Sequence, residues 1–355
     1  MATAANTVQL RLSKTLGALL GVHAGDSLGA TLEFNSYREI KKNFPNGLRD
    51  IIGGGTFGWP PGHATDDTDL TRAVLLAYHD RANHNLLKIP GKDFDIARSV
   101  ADWSLDWYEG DWPGRKKGQA PKDIGGATHV GLLNYSHLHD PRRCGAGDGK
   151  AGNGSLMRCI PTGLFTRGRD ERIKESKEIS AITHNDSRCT VSCAAYNEIV
   201  AALLDGKTPQ TAVGIGLEVA REQDHIDVVD AIERGRTLSI SKFANEGPGD
   251  ELPDNTSGYV LQSLTVAIAA LLDPRSLEDV LVDVTRIGGD TDTNGAISGG
   301  LLGARDGIEA IPERWLNTLQ FRTEFEELAQ DILDLASSPA EGLPSSYKKR
   351  HGLAG

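Results

Sequence analysis

Apolar positions along the chain recur mostly at the three-to-four-residue spacing of buried helix faces. Residues 257–274 (SGYVLQSLTVAIAALLDP) are apolar on most sides and stop before Pro274, which predicts a buried helix. Residues 275–289 place Leu277, Val280, Leu281 and Val284 on one helical face. Ser276 reads as their N-cap, Asp279 stands at the third helical position, and Gly288 ends the helix. Segment 190–206 ends at Gly206 in the same way, and 172–183 and 311–336 also read as helices. Strand-like alternation is scarce, and its best candidate, LRDIIGG at 48–54, is short. Irregular stretches at 44–65, 110–126 and 139–155 interrupt the helices, and an acidic, proline-containing loop runs from 244 to 257. Loops of that length in a compact domain are more often functional than idle.

Two glycine series share the helical register. Gly17, Gly21, Gly25 and Gly29 are four residues apart, and so are Gly295, Gly299 and Gly303. Each glycine weakens a helix interior by roughly 0.5–1 kcal/mol relative to alanine. A row of them on one face makes sense if another backbone comes very close, and Leu19, Leu20, Ala24, Leu28, Leu301 and Leu302 fill the other faces.

The composition, with 39% hydrophobic and 25% charged residues among 355, is that of an ordinary globular protein. The longest apolar runs are too short to span a bilayer, and the N-terminus has no secretory apolar core. A net charge of −11 disfavours nucleic-acid binding through the overall field. Cys144, Cys159, Cys189 and Cys193 form no CxxC pair, which suits buried thiols in a reducing compartment. The cytoplasm is the expected location, with the nucleus as the alternative.

The chemistry lies in two acidic clusters. Asp290, Thr291, Asp292, Thr293, Asn294 and Gly295 match the first half of a calcium loop, but the twelfth position, where a bidentate glutamate belongs, is Leu301. The small-residue helix AISGGLLGA follows directly, so the EF-hand reading fails. Thr65, Asp66, Asp67, Thr68 and Asp69 repeat the pattern just before LTRAVLLAY. One acidic residue at a helix start is ordinary capping, but three within four positions repel one another unless a cation shares the site. Two such helix starts point to one shared oxygen-ligand site for Mg²⁺, Mn²⁺ or Ca²⁺, with enough carboxylates for two ions. The plainer alternative is a pair of solvated acidic caps.

Weaker signals stand beside these. Asp26 and Glu33 lie on a glycine-rich segment and read equally as surface charges. Gly152, Asn153, Gly154 and Ser155 form either a plain turn or a loop of free N–H groups suited to pyrophosphate. His184, after Thr183, and Asp123, beside Gly125 and Gly126, are isolated signals. No Walker loop, dinucleotide fingerprint or nucleophile elbow is present.

In order, GDSLGATLE, TDDT, DIGGAT, GNGSLMR, TH and GGDTDTNGAISGGLLGA resemble the ADP-ribosylglycohydrolase family over residues 17–304. The resemblance implies an all-α protein, a single orthogonal helical domain over 1–340 with a metal-lined cleft and little or no β structure; residues 341–355 lie beyond it and read from their own composition as a flexible tail. It implies two Mg²⁺ or Mn²⁺ ions held by Thr65, Asp66, Asp67, Asp290, Asp292 and Thr293. Glu33, at a mobile position over the metals, and Asp123 are implied as the acid/base residues. Gly152, Asn153, Gly154, Ser155 and His184 are implied to hold ADP-ribose. The implied reaction is release of ADP-ribose from a modified protein or small molecule by a monomeric enzyme that binds neither nucleic acid nor membrane. ADP-ribosyl-arginine is the expected substrate, serine-linked ADP-ribose or O-acetyl-ADP-ribose the alternative, and a non-catalytic, crystallin-like descendant the second alternative. Asp69 departs from the family pattern; it is expected to add charge beside the metals and to form part of an acidic rim for a guanidinium.

Overall fold

A computed structural model describes residues 2–87, 93–249 and 258–337. The expected tail at 341–355 and residues 250–257 of the acidic loop lie outside the described residues. Among those residues the backbone forms sixteen α-helices and no strand, only isolated bridges. The helices before the second half of the chain are α1 (Ala2–Gly29), α2 (Tyr37–Asn43), α3 (Asp66–Leu87), α4 (Ile96–Glu109), α5 (Gly126–Leu138), α6 (Ile160–Phe165) and α7 (Arg169–Ala181). There follow α8 (Ser187–Leu204), α9 (Pro209–Glu222), α10 (Ile226–Gly235), α11 (Ile240–Glu246), α12 (Val260–Leu272), α13 (Leu277–Arg286), α14 (Thr291–Asp306), α15 (Glu313–Leu316) and α16 (Arg322–Ser337). None of them is long and apolar enough to cross a membrane.

The expected helices form for the expected reasons. Ser276 Oγ accepts the Asp279 N–H at 3.2 Å and starts α13. Helix α12 is buried from Val260 through Leu271 on most of its positions, as its apolar run demands. Helix α8 is buried on nearly every side and packs against α6, α7, α9, α12 and α14. Cys189 and Cys193 are part of that packing, and all four thiols are free and buried.

Two expectations fail. LRDIIGG is not a strand: Gly53 and Gly54 have φ of 68° and 89°, which an extended ladder cannot contain. Segment 311–336 is two helices rather than one. At the break the N–H of Gln320 donates to Gly62 O (3.0 Å) and that of Phe321 to His23 Nε2 (3.3 Å), so tertiary partners replace helical ones.

The two glycine series meet, α1 against α14. A Cβ built on Gly21 would collide with Gly299 O, one on Gly25 with Gly295 O, and the reciprocal additions collide with the carbonyls of Gly21 and Gly25. All of these approaches fall well inside 3.0 Å and all are to backbone, which cannot swing aside. The Thr291 hydroxyl donates to Gly29 O at 2.8 Å and fastens the end of α1 to the start of α14.

Gly25→Ala or Gly295→Ala should therefore lower stability by about 3 kcal/mol, the upper part of the usual overpacking range. Gly214→Ala on α9, where a Cβ meets nothing within 4 Å, should instead stabilise by about 0.5–1 kcal/mol. Urea unfolding of the three variants checks the opposite signs.

Candidate active site

Helix α1 carries Asp26 at its inner face, and the turn after its end carries Glu33; Asp26 is fully buried and Glu33 nearly so. Neither is the surface charge that the sequence left open. Asp26 Oδ2 accepts the N–H groups of Thr65 (3.1 Å) and Thr68 (3.2 Å) and the Thr68 hydroxyl. It thus satisfies donors at the start of α3 from another helix, with Thr65 Oγ1 accepting the Asp67 N–H at 3.3 Å, and leaves the side chains of Asp66 and Asp67 free of capping. Sequence reasoning missed Asp26 as a site residue. The available signal was its place beside Gly25, on the face that approaches α14.

The two acidic clusters come together. Asp67 Oδ2 accepts the hydroxyls of Thr65 (3.2 Å) and Thr293 (3.3 Å), one from each cluster. Asp290 is the N-cap residue of α14 but its side chain makes no cap bond. It turns instead to Asn153, whose Nδ2 donates to Asp290 Oδ2 at 2.7 Å and to Ser263 Oγ at 2.9 Å. Asp66, Asp67, Asp292 and Thr293 are buried, so these are not solvated caps.

Burial first, and then the surrounding carboxylates, push Asp66, Asp67 and Asp292 well above the ordinary range. Burial and the charge of Asp123 raise Glu33 to about 9, and burial and Asp290 raise Asp123 to about 6. Asp123 is half-buried in the segment before α5.

The donor set suits a hard cation. One carboxylate oxygen from each of Glu33, Asp290 and Asp292 lies within 4.8 Å of the others, compatible with ligands about 2.0–2.6 Å from a shared ion. Asp26 Oδ1, Glu33 Oε2, Asp67 Oδ1 and Asp292 Oδ1 are buried with no hydrogen-bond partner in the protein. The tightest trio draws in Glu33 rather than Asp66 or Asp67. The first cluster reaches the second through the Thr293 hydroxyl.

The glycine loop borders the same site. Asn153 N donates to Gly258 O at 2.9 Å, and its side chain reaches Asp290. Gly152 and Gly154 pack on the His184 ring, which is buried. Ser155 is different: its hydroxyl accepts from Ser180 at 2.8 Å and lies 3.6 Å from Cys193 Sγ, in the core.

Asp69 does not line an acidic rim. Both of its oxygens are taken by indoles, Trp107 Nε1 at 2.9 Å and Trp112 Nε1 at 2.8 Å. Two residues on a helix turn the side chain about 200° from Asp67, toward α4 rather than toward the cluster.

Fold and site first define a class: an all-helical protein with an oxygen-only carboxylate cluster beside a glycine loop. A family model described as ADP-ribosylglycohydrolase matches residues 7–341. The chain belongs to the ADP-ribosylglycohydrolase family, whose members are glycosidase-type hydrolases. It is 27% identical to the ADP-ribosyl-[dinitrogen reductase] glycohydrolase of Rhodospirillum rubrum, over 88% of this chain and 92% of that one. It is also 27% identical to the ADP-ribosylarginine hydrolase Tri1 of Pseudomonas putida (strain GB-1), over 97% and 84% respectively. A solved structure, an ADP-ribosylglycohydrolase-related protein complex, superposes with a TM-score of 0.73 at 28% identity, covering 92% of this chain and 99% of that chain.

Burial, then the nearby charge of Arg158, lowers His184 to about 3. An unfolded histidine takes up a proton near pH 6.5 that the folded one refuses, so stability is lost as pH falls from about 6.5 toward 3. His184→Gln lacks this loss. The stability of wild type relative to the variant should fall steadily over that window in denaturant titrations run at successive pH values.

Proposed function

We propose that this protein hydrolyses the bond joining ADP-ribose to an acceptor, and that the acceptor is the guanidinium of an ADP-ribosylated arginine. The observation that carries the reading is the convergence of Glu33, Asp290 and Asp292 on one point, with Asp66, Asp67 and Asp123 near enough to feel the charge of Asp290. The relative named as an ADP-ribosylarginine hydrolase, matched over 97% of this chain, supports the acceptor.

Thr65, Asp66, Asp67, Asp290, Asp292 and Thr293 would hold two Mg²⁺ or Mn²⁺ ions, with Glu33 within reach of the second cluster. The cations would supply positive charge that offsets the carboxylates and polarises a sugar or water oxygen. The residues of the chain do the rest. Asn153, bonded to Asp290, couples the ADP-ribose loop to the acidic wall. The backbone N–H groups of Gly152, Gly154 and Ser155 face the pyrophosphate, with His184 behind them, while that of Asn153 is held by Gly258 O; the Ser155 hydroxyl is spent in the core. Glu33 and Asp123 are the carboxyls that move the proton, one to the departing nitrogen and one from the attacking water, at an oxocarbenium-like sugar carbon. A crowd of carboxylates around the leaving group also favours a cationic guanidinium over a neutral acceptor.

The test is ADP-ribose release from ADP-ribosyl-arginine and ADP-ribosyl-serine peptides and from O-acetyl-ADP-ribose, each with Mg²⁺ or Mn²⁺. Arginine-linked substrate should be cleaved fastest. Asp66→Ala and Asp290→Ala should reduce release by about 10³-fold or more while remaining folded by circular dichroism. Full activity of either variant with chelator present would overturn the proposal. Micromolar Mn²⁺ should raise the melting temperature of wild type, and Asp292→Ala should lose most of that gain.

A further inference from the structure

Arg158 is 1% exposed and is held without a carboxylate partner. Its Nε donates to Gly154 O at 3.2 Å, and its Nη2 donates to Ile179 O at 3.3 Å and to Thr183 Oγ1 at 2.7 Å. Nη1 is buried with no partner. A buried guanidinium without a counter-charge is costly, so its place behind the ADP-ribose loop calls for a role.

The direction of the hydrogen bonds supplies one. A guanidinium can only donate, so Thr183 Oγ1 must accept from Arg158. The hydroxyl proton of Thr183 is then free to donate, and His184 Nδ1 lies 2.8 Å away. For Nδ1 to accept that proton it must be bare, which puts the ring proton on Nε2. The reverse arrangement, Nδ1–H into Thr183, would use both lone pairs of the hydroxyl and leave its buried proton without an acceptor, since Arg158 and His184 are its two partners. Nε2 is the atom that faces the loop: a Cβ on Gly152 would stand 3.1 Å from it, and one on Gly154 would stand 3.2 Å from it and 2.9 Å from Cε1. Neither glycine has a positive φ. Space in front of the imidazole edge, rather than backbone conformation, explains why both positions lack side chains.

We propose that Arg158 and Thr183 are positioning residues that lock the tautomer of His184, so that Nε2–H is presented through the Gly152–Gly154 gap to an anionic oxygen of the ligand, a phosphate of ADP-ribose. The assignment of the ligand rests on the functional reading above; the lock itself does not. Burial and the adjacent guanidinium also keep the ring neutral, so the donor is the same from mildly acidic to alkaline pH.

Nitrogen-15 NMR of the imidazoles in the ligand-free protein reads the lock directly, and calorimetry with free ADP-ribose reads its consequence. Wild type should show His184 with a protonated Nε2 and a bare Nδ1 between pH 5 and 8. Thr183→Val and Arg158→Met should give mixed tautomers and weaken ADP-ribose binding by about tenfold or more, the worth of one good hydrogen bond to a charged group. Thr183→Ser, which keeps the hydroxyl, should restore both signals. A wild-type spectrum with the proton on Nδ1 overturns the lock, and needs no variant to fold. Unchanged affinity in a folded Thr183→Val variant overturns the role in binding. Failure of wild type to bind ADP-ribose at all would sink the functional reading instead, while the spectrum still decides the lock.

Discussion

The site depends on a contact that contains no functional group. Helices α1 and α14 lie backbone against backbone because glycines from each occupy the crossing, and a single methyl group at Gly21, Gly25, Gly295 or Gly299 would strike a carbonyl. Ordinary helix pairs stand about 8–10 Å apart, too far for side chains as short as aspartate to meet over the ends. Removing the side chains from the interface brings the ends of the two helices together. Glu33 then meets Asp290 and Asp292 at the start of α14, and Asp26, bound to the start of α3, lies near enough for its charge to be felt at Asp292.

That closeness creates an electrostatic problem that the protein alone leaves unsolved. Seven carboxyls, Asp26, Glu33, Asp66, Asp67, Asp123, Asp290 and Asp292, share one region, and all are raised. Hydrogen bonds relieve only part of this. Asp26 is spent on the amides of α3, Asp290 on Asn153, and Asp67 on two threonines. The remaining unpartnered oxygens are a deficit of positive charge. The deficit is maintained by the packing on either side, and a divalent cation is the kind of group that would relieve it.

Much of this was legible in the sequence. Helical periodicity and the Ser276 cap located α12 and α13, and the four-residue glycine rows announced a close crossing before any partner was visible. The acidic clusters could be joined because three carboxylates in four positions exceed what capping explains. What sequence spacing could not show was direction. Asp69 looks like its neighbours on paper, yet two indoles on α4 and the loop beyond it capture it. Ser155 sits in a loop of apparent donors, yet its hydroxyl belongs to the core. Asp26 stood open between a surface charge and a site residue because its partners, the amides of Thr65 and Thr68, lie some forty residues onward. In each case the deciding atom comes from a distant part of the chain.

The same crossing has a consequence for how the molecule is made. Helix α1 leaves the ribosome well before α14, which spans Thr291–Asp306. Domains condense as units, and contacts this distant in sequence form late. A nascent chain that stops before residue 290 carries TDDT, Asp26 and Glu33 but lacks Asp290, Asp292 and Thr293, the α14 side of the site. Synthesis of α14 and completion of the site are therefore one event, timed by the arrival of a helix whose inner face is glycine.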